Sequence, residues 1–264
     1  GGMFSITKSL VKLAEDLDVK FHYNTLVDEI VVENKKAKGV KINDTIVSGD
    51  LVISNMDVWF TYKKLLKNQL PPARILKQER SSSALIFYWG IKKTFSQLDL
   101  HNVFFSEDYQ QEFDHIWKKK NIYHDPTVYL NISSKYNPAD APEGFENWFT
   151  MINVPSNIGQ DWDQLIAEAK ANILKKLSKN LGENISSLIT CEAVLDPRSI
   201  EIKTSSYQGS LYGTSSNNQF SAFLRHANFS SKIKGLYFAG GSVHPGGGIP
   251  LALLSAKIVS DLID

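Results

Sequence analysis

The segment from Gly235 to Asp264 constrains this chain more than any other. Leu236 to Ala239 is a short apolar run with aromatics, ended by glycine, and reads as a buried strand. Gly240 to Gly248 then holds five glycines in nine positions. Such a loop lets backbone approach a ligand where a Cβ would collide. Pro250 suits the first turn of a helix, where its missing N–H costs nothing. Behind it Leu251, Leu254, Ile258 and Leu262 recur at helical spacing, with Lys257 and Asp261 on other faces. The unit is strand, glycine loop, helix start. Free N–H groups and the positive end of a helix dipole then face whatever the loop holds. A tight turn in any α/β fold would account for one glycine pair. Five glycines with a proline at the helix start favour a ligand loop.

Bulk properties exclude several classes. The 264 residues allow one large or two small domains. A formal charge of +1 gives no case for nucleic-acid binding. The single cysteine, Cys191, leaves no internal disulfide and suits a reducing compartment, so a cytoplasmic location is expected. No apolar run of about 18 residues predicts a spanning helix, and the start lacks a signal-peptide pattern.

In chain order, Ser5 to Leu17 predicts a helix with Ile6, Leu10, Leu13 and Leu17 on one face. Lys20 to Tyr23 predicts a short strand. Leu26 to Glu33 is apolar, Gly39 to Ile42 and Thr45 to Val47 flank the hairpin signal Asn43-Asp44, and Leu51 to Asn55 ends another strand. Asp57 is a candidate cap for a helix running to Leu66. From Ser81 to about Ile202 aromatic-rich strands dominate: Ala84–Ile91, Val103–Phe105, Thr127–Ile132 and Trp148–Val154. Helices are predicted over Asp108–Lys120, with Tyr109, Phe113, Ile116 and Trp117 on one side, and over Asp161–Leu181, with Leu165, Ala169, Ile173 and Leu177 as its core face. The fold class expected is α/β of the mixed α+β kind, its middle a mostly antiparallel sheet with helices on one face. Aromatic strands of this kind serve as ordinary core or line a long apolar cavity. Cys191, in a predicted strand, is expected to be a buried structural thiol.

Ser242-Val243-His244-Pro245-Gly246-Gly247-Gly248-Ile249-Pro250 resembles the carboxy-terminal flavin signature of the phytoene (carotenoid) desaturase family. Gly209-Ser210-Leu211-Tyr212-Gly213 and Ser54-Asn55-Met56-Asp57 resemble further elements of that family. The first of these, with Ala222-Phe223-Leu224-Arg225, leans toward its hydroxycarotenoid 3,4-desaturase branch. The resemblance implies an FAD-dependent two-domain oxidoreductase that inserts double bonds into a long polyene by hydride transfer to flavin. It implies cofactor contacts at Val27, Gly240, Gly241, Ser242, Gly247, Gly248 and Ile249. It implies that 1–57 and 231–264 belong to the FAD-binding domain and 58–230 to a substrate domain. No G-x-G-x-x-G cradle for the pyrophosphate occurs, and Gly1-Gly2-Met3 resembles an internal family segment, so a carboxy-terminal fragment is expected. A polyene resides in lipid, so peripheral membrane contact is expected, with Trp117 and Lys118–Lys120 as one candidate surface.

Other chemistries fare worse. The six histidines lack zinc-ligand spacing, and Gly240-Gly241-Ser242-Val243-His244 departs from a nucleophile elbow at its last position. No residue reads as a general base, so no catalytic residue is assigned. Two alternatives stay open: another amine-oxidase-superfamily flavoenzyme acting on an amine or retinoid, and a catalytically silent lipid-binding fragment.

Overall fold

The computed structural model describes residues 2–215 and 224–263. Helix α1 (Phe4–Asp16) opens the chain, and a three-stranded antiparallel meander follows: β1 (Glu29–Glu33), β2 (Lys36–Ile42) and β3 (Thr45–Ser48). Both its turns take two residues with positive φ. Asn34 and Lys35 have φ of 49° and 59°, and Asn43 and Asp44 have 46° and 66°. These turns match the right-handed twist of the strands they join. β4 (Val52–Ser54) leads to α2 (Val58–Phe60), where Asp57 accepts from Trp59 N as the cap. The helix then widens over Thr61–Leu65, with Leu66 N–H reaching back to Thr61 O. α3 (Ala73–Leu76) precedes the large sheet.

That sheet contains β5 (Ser83–Ile91), β6 (His101–Phe104), β7 (Val128–Asn131), β8 (Glu146–Val154) and β9 (Ile189–Leu195) in the spatial order β6-β7-β8-β5-β9. All its pairings are antiparallel. α4 (Tyr109–Asp114) lies between β6 and β7. α5 (Trp162–Leu181) and α6 (Ile185–Leu188) lie between β8 and β9, and α7 (Pro197–Thr204) follows. Because side chains alternate across a strand, the sheet has two unlike faces. Leu85, Phe87, Trp89, Ile91, Leu130, Trp148 and Ile152 pack beneath α5, which contributes Trp162, Ala169, Ile173 and Leu177. Burying each leucine, isoleucine or phenylalanine side chain among these stabilises the fold by roughly 1.5–3 kcal/mol. The other face carries Ile86, Tyr88, Tyr129, Phe149 and Met151.

Last, β10 (Leu236–Phe238) pairs in parallel with β4, and α8 (Ile249–Ile263) follows the glycine loop. A second core joins the two ends of the chain: Ile30, Val58, Tyr62 and Leu66 from the first part meet Leu236, Phe238 and Val243.

Four expectations change. Lys20 to Tyr23 is not a strand, since no strand among the described residues lies beside it to pair with. Cys191 is exposed, because β9 is an edge strand and Cys191 sits opposite Gly90, on the open face. Leu251, Leu254 and Leu262 of α8 are exposed, and the buried positions are Ser255 and Val259. Likewise α1 buries none of its residues, and Ile6, Leu10, Leu13 and Leu17 are exposed.

Candidate functional site

The parallel pairing of β10 with β4 brings two loops to one edge. Ala239 N–H donates to Ser54 O at 3.1 Å, and Asn55 Nδ2 donates to Ala239 O at 3.0 Å. Gly240 follows with φ of 111°, and a Cβ there would lie 2.6 Å from Asn55 Nδ2. Its N–H donates to Ser255 Oγ at 3.0 Å, and Asn228 Nδ2 donates to the same oxygen at 2.8 Å. This explains a serine at a buried position of α8: Ser255 accepts the first N–H of the loop.

The loop itself folds into glycines from elsewhere. A Cβ on Gly213 would stand 2.6 Å from Ser242 Cα, and one on Gly247 would stand 2.8 Å from Tyr212 Cβ. Gly241 and Gly247 also approach closely, with 3.3 Å between the would-be Cβ of Gly241 and the Cα of Gly247. Thus the 209–213 element and the 240–248 loop, read separately in the sequence, interlock. Arg225 ties them further: Nη1 donates to Tyr212 O at 2.7 Å and Gly241 O at 3.2 Å, and Nη2 to Thr214 O at 2.8 Å. Ser242 Oγ accepts from Val58 N at 3.0 Å and so holds the loop to the start of α2.

Beneath that junction lies a buried ion pair. Asp57 and Arg80 are hydrogen-bonded, their side chains 4% and 3% exposed. Arg80 Nε donates to Ser210 Oγ at 3.3 Å, and its guanidinium lies 5.4 Å from the Tyr207 ring centre. Tyr207 in turn stacks on Trp59 at 3.7 Å. Burial pushes the Asp57 carboxyl up, against the pull of Arg80 and the Trp59 N–H. Burial pushes the Arg80 guanidinium down, against Asp57.

A second buried polar pair supports the other side. His226 Nδ1 lies 2.7 Å from Ala227 O, which can only accept, so Nδ1 carries the hydrogen. Nε2 is then an acceptor, and the Tyr62 hydroxyl donates to it at 3.1 Å. Burial holds the imidazole below its usual range and the phenol above its own. His226 also pairs by backbone with the loop, accepting from His244 N–H at 2.9 Å.

Of the residues picked from the sequence, Gly240, Gly241, Ser242 and Gly247 are brought together in this interlock. Gly248 (φ 99°) and Ile249 stand at its open end, where a Cβ on Gly248 would meet nothing within 4 Å. Val27 lies just before β1, half-buried against the core that contains Phe238 and Val243. Arg80 and the Tyr62–His226 pair went unnoticed in the sequence, and Arg225 was noticed only as part of a family element, without its role in tying the two loops. Lone polar residues carry no pattern, and their burial is set by distant segments. Ala222 and Phe223 lie outside the described residues.

The sheet's open face forms a second candidate surface. Tyr88 and Phe149 rings lie 5.5 Å apart, and Phe149 and Tyr129 rings 6.2 Å apart. A groove of about 690 Å³ runs over Tyr88, Gly90, Phe149, Cys191 and Ala193.

A sequence profile for flavin-containing amine oxidoreductases matches residues 1–264. The chain belongs to that family. It is 55% identical over 263 residues to a 1-hydroxycarotenoid 3,4-desaturase of Flavobacterium sp. strain P99-3, covering 100% of this chain and 54% of that protein. It is 31% identical over 287 residues to a phytoene desaturase of Fusarium fujikuroi, covering 100% of this chain and 50% of that protein. An oxidoreductase from Methanosarcina mazei shares the fold at 15% identity, with a TM-score of 0.64, covering 96% of this chain and 53% of that one. The chain therefore spans about half the length of the relatives it matches.

Proposed function

We propose that the protein carrying this chain is an FAD-dependent desaturase of a long, hydroxylated polyene. Segments 1–57 and 231–264 lie on its flavin side and 58–230 on its substrate side. The observation that carries the substrate class is the open sheet face. Its outward positions on β5, β8 and β9, from Tyr88 and Gly90 through Phe149 to Cys191 and Ala193, hold no charged residue, and the carboxylates at the margin of the groove are already engaged, Glu146 with Lys135, Glu192 with Lys170 and Asp140 with Asn137. Flat rings and methyls suit a conjugated apolar chain, whereas an ammonium substrate would call for a carboxylate. The 55% identity with a 1-hydroxycarotenoid 3,4-desaturase supports the same reading.

The residues present fit a flavin. Gly248 leaves space where any side chain would intrude, and α8 begins beside it, so its first N–H groups favour an anionic edge. Gly240, Gly241, Ser242, Gly247 and Ile249 would form that wall, with Val27 on the adenine side. Each double bond inserted removes one hydrogen as hydride and one as a proton. Bound flavin supplies the two-electron acceptor. The chain's own part is to orient: the Asp57–Arg80 pair fixes the junction between the glycine loop and the strand that enters the substrate sheet.

The full-length enzyme would meet its lipid-dissolved substrate at the surface of the bilayer; no helix among the described residues is long and apolar enough to cross it. The test is anaerobic. The flavin absorbance of the holoenzyme should bleach on adding a 1-hydroxylated acyclic carotenoid, with a product one double bond longer. Bleaching by amines, and not by any polyene, would overturn the proposal.

A further inference from the structure

The amino-terminal end of β10 points away from the glycine loop and carries a different site. Lys234 N–H donates to Lys35 O at 2.8 Å, and Ala37 N–H donates to Lys234 O at 2.9 Å. These bonds clamp the turn between β1 and β2 against the segment that enters β10. The result is a cavity of about 530 Å³ lined by Lys35, Lys232 and Lys234, with Ser231 between them and Phe229 and Leu262 on its walls. Phe229 and Leu262 are 45% and 46% exposed.

None of these three lysines makes an ion pair among the described residues. The nearest carboxylate in sequence, Glu33 on β1, likewise forms no ion pair. Three lysines without carboxylate partners lining one cavity give it a positive potential, which favours an anion. The apolar walls say what kind of anion: one joined to hydrocarbon. The helix region favoured from the sequence compares poorly. There Ile116 is buried, Lys118 is paired with Asp114 at 2.8 Å, Lys120 with Glu79 at 2.8 Å, and Lys119 lies 2.8 Å from His115.

We infer that the cavity bounded by Lys35, Lys232 and Lys234 takes the phosphate head group of an anionic lipid and is the surface by which this protein docks on a bilayer. The inference rests on the proposed peripheral membrane contact and adds its location. Docking here leaves the carboxy-terminal end of β10, and with it the glycine loop, turned away from the head groups.

Flotation of the holoenzyme with phosphatidylcholine vesicles, with and without phosphatidylglycerol, tests it. The parent should float only when phosphatidylglycerol is present, and release in high salt. Changing Lys35, Lys232 and Lys234 together to Glu should lower partitioning on the order of 100-fold. The corresponding Gln variant should fall between, and both should keep their flavin. Changing Lys118, Lys119 and Lys120 to Glu should leave flotation unchanged. If the parent does not float, the peripheral reading itself fails and this site with it. If the parent floats and the Lys35/Lys232/Lys234 variants float equally well, only the location is wrong. Tight binding of inorganic phosphate without flotation would reassign the cavity to a soluble phosphate compound and overturn the bilayer assignment.

Discussion

Single residues in the interlock differ in what they can reveal. Gly247 lies so close to Tyr212 that Gly247→Val should disturb the loop whether or not a flavin is bound. Gly248 has open space beyond it and φ of 99°, so Gly248→Val strains backbone and projects into the proposed flavin position without striking protein. We expect Gly248→Val to abolish flavin retention in the full-length protein while its circular dichroism is unchanged; wild-type flavin occupancy would place the cofactor elsewhere. Arg80→Met strands Asp57 as an uncompensated buried carboxylate, and should cost about 3–5 kcal/mol in urea unfolding. The double change with Asp57→Leu should recover much of that loss. His226 gives a pH dependence. Its unfolded imidazole titrates near about pH 6.5, while burial holds the folded one lower. Between those values the unfolded chain binds a proton that the folded chain refuses. Stability therefore falls as the pH drops below about 6.5, by at most ~1.4 kcal/mol per pH unit, until the folded pKa is reached. His226→Gln should flatten that limb of the stability profile.

Among the elements, β9 carries the most accessible test of the proposed substrate face. Its edge position leaves Cys191 exposed in the groove beside Tyr88 and Phe149. A maleimide should label this thiol in the folded full-length enzyme, and bound polyene should slow the labelling. Labelling that is indifferent to polyene would separate the groove from the substrate path. The opposite face of the same sheet is ordinary core. Ile173→Ala in α5 should lower stability by about 2–5 kcal/mol without touching flavin binding, since Ile173 is fully buried against β-strand side chains.

At the scale of the whole molecule, two helices present apolar faces that nothing among the described residues covers. α1 exposes Phe4, Ile6, Leu10, Leu13 and Leu17, and α8 exposes Leu251, Leu253, Leu254 and Leu262. Contiguous apolar surface of this kind drives association. The 264-residue chain expressed by itself should bind a hydrophobic dye and self-associate, and Leu10→Glu with Leu13→Glu should reduce both. A monodisperse monomer with no dye binding would contradict the exposure seen here.

Local chemistry was legible in the sequence because it depends on near neighbours. Asn43-Asp44 announced a two-residue hairpin turn, Asp57 and Asp161 announced helix starts, and 236–250 announced a strand, a glycine loop and a helix. The flavin-family motif was legible for the same reason: its residues are contiguous. Burial was another matter. The periodicity that marked α1 and α8 as amphipathic could not say that their apolar faces would lie open. The same alternation in β5 could not say which face α5 would cover. The ion pair of Asp57 with Arg80, the contact of Gly213 with Ser242 and the grouping of Lys35 with Lys232 and Lys234 all join segments far apart in the chain. Sequence sets a residue's charge, size and backbone freedom. Only packing decides which distant partner it meets, because that choice depends on the shape of every element lying between them.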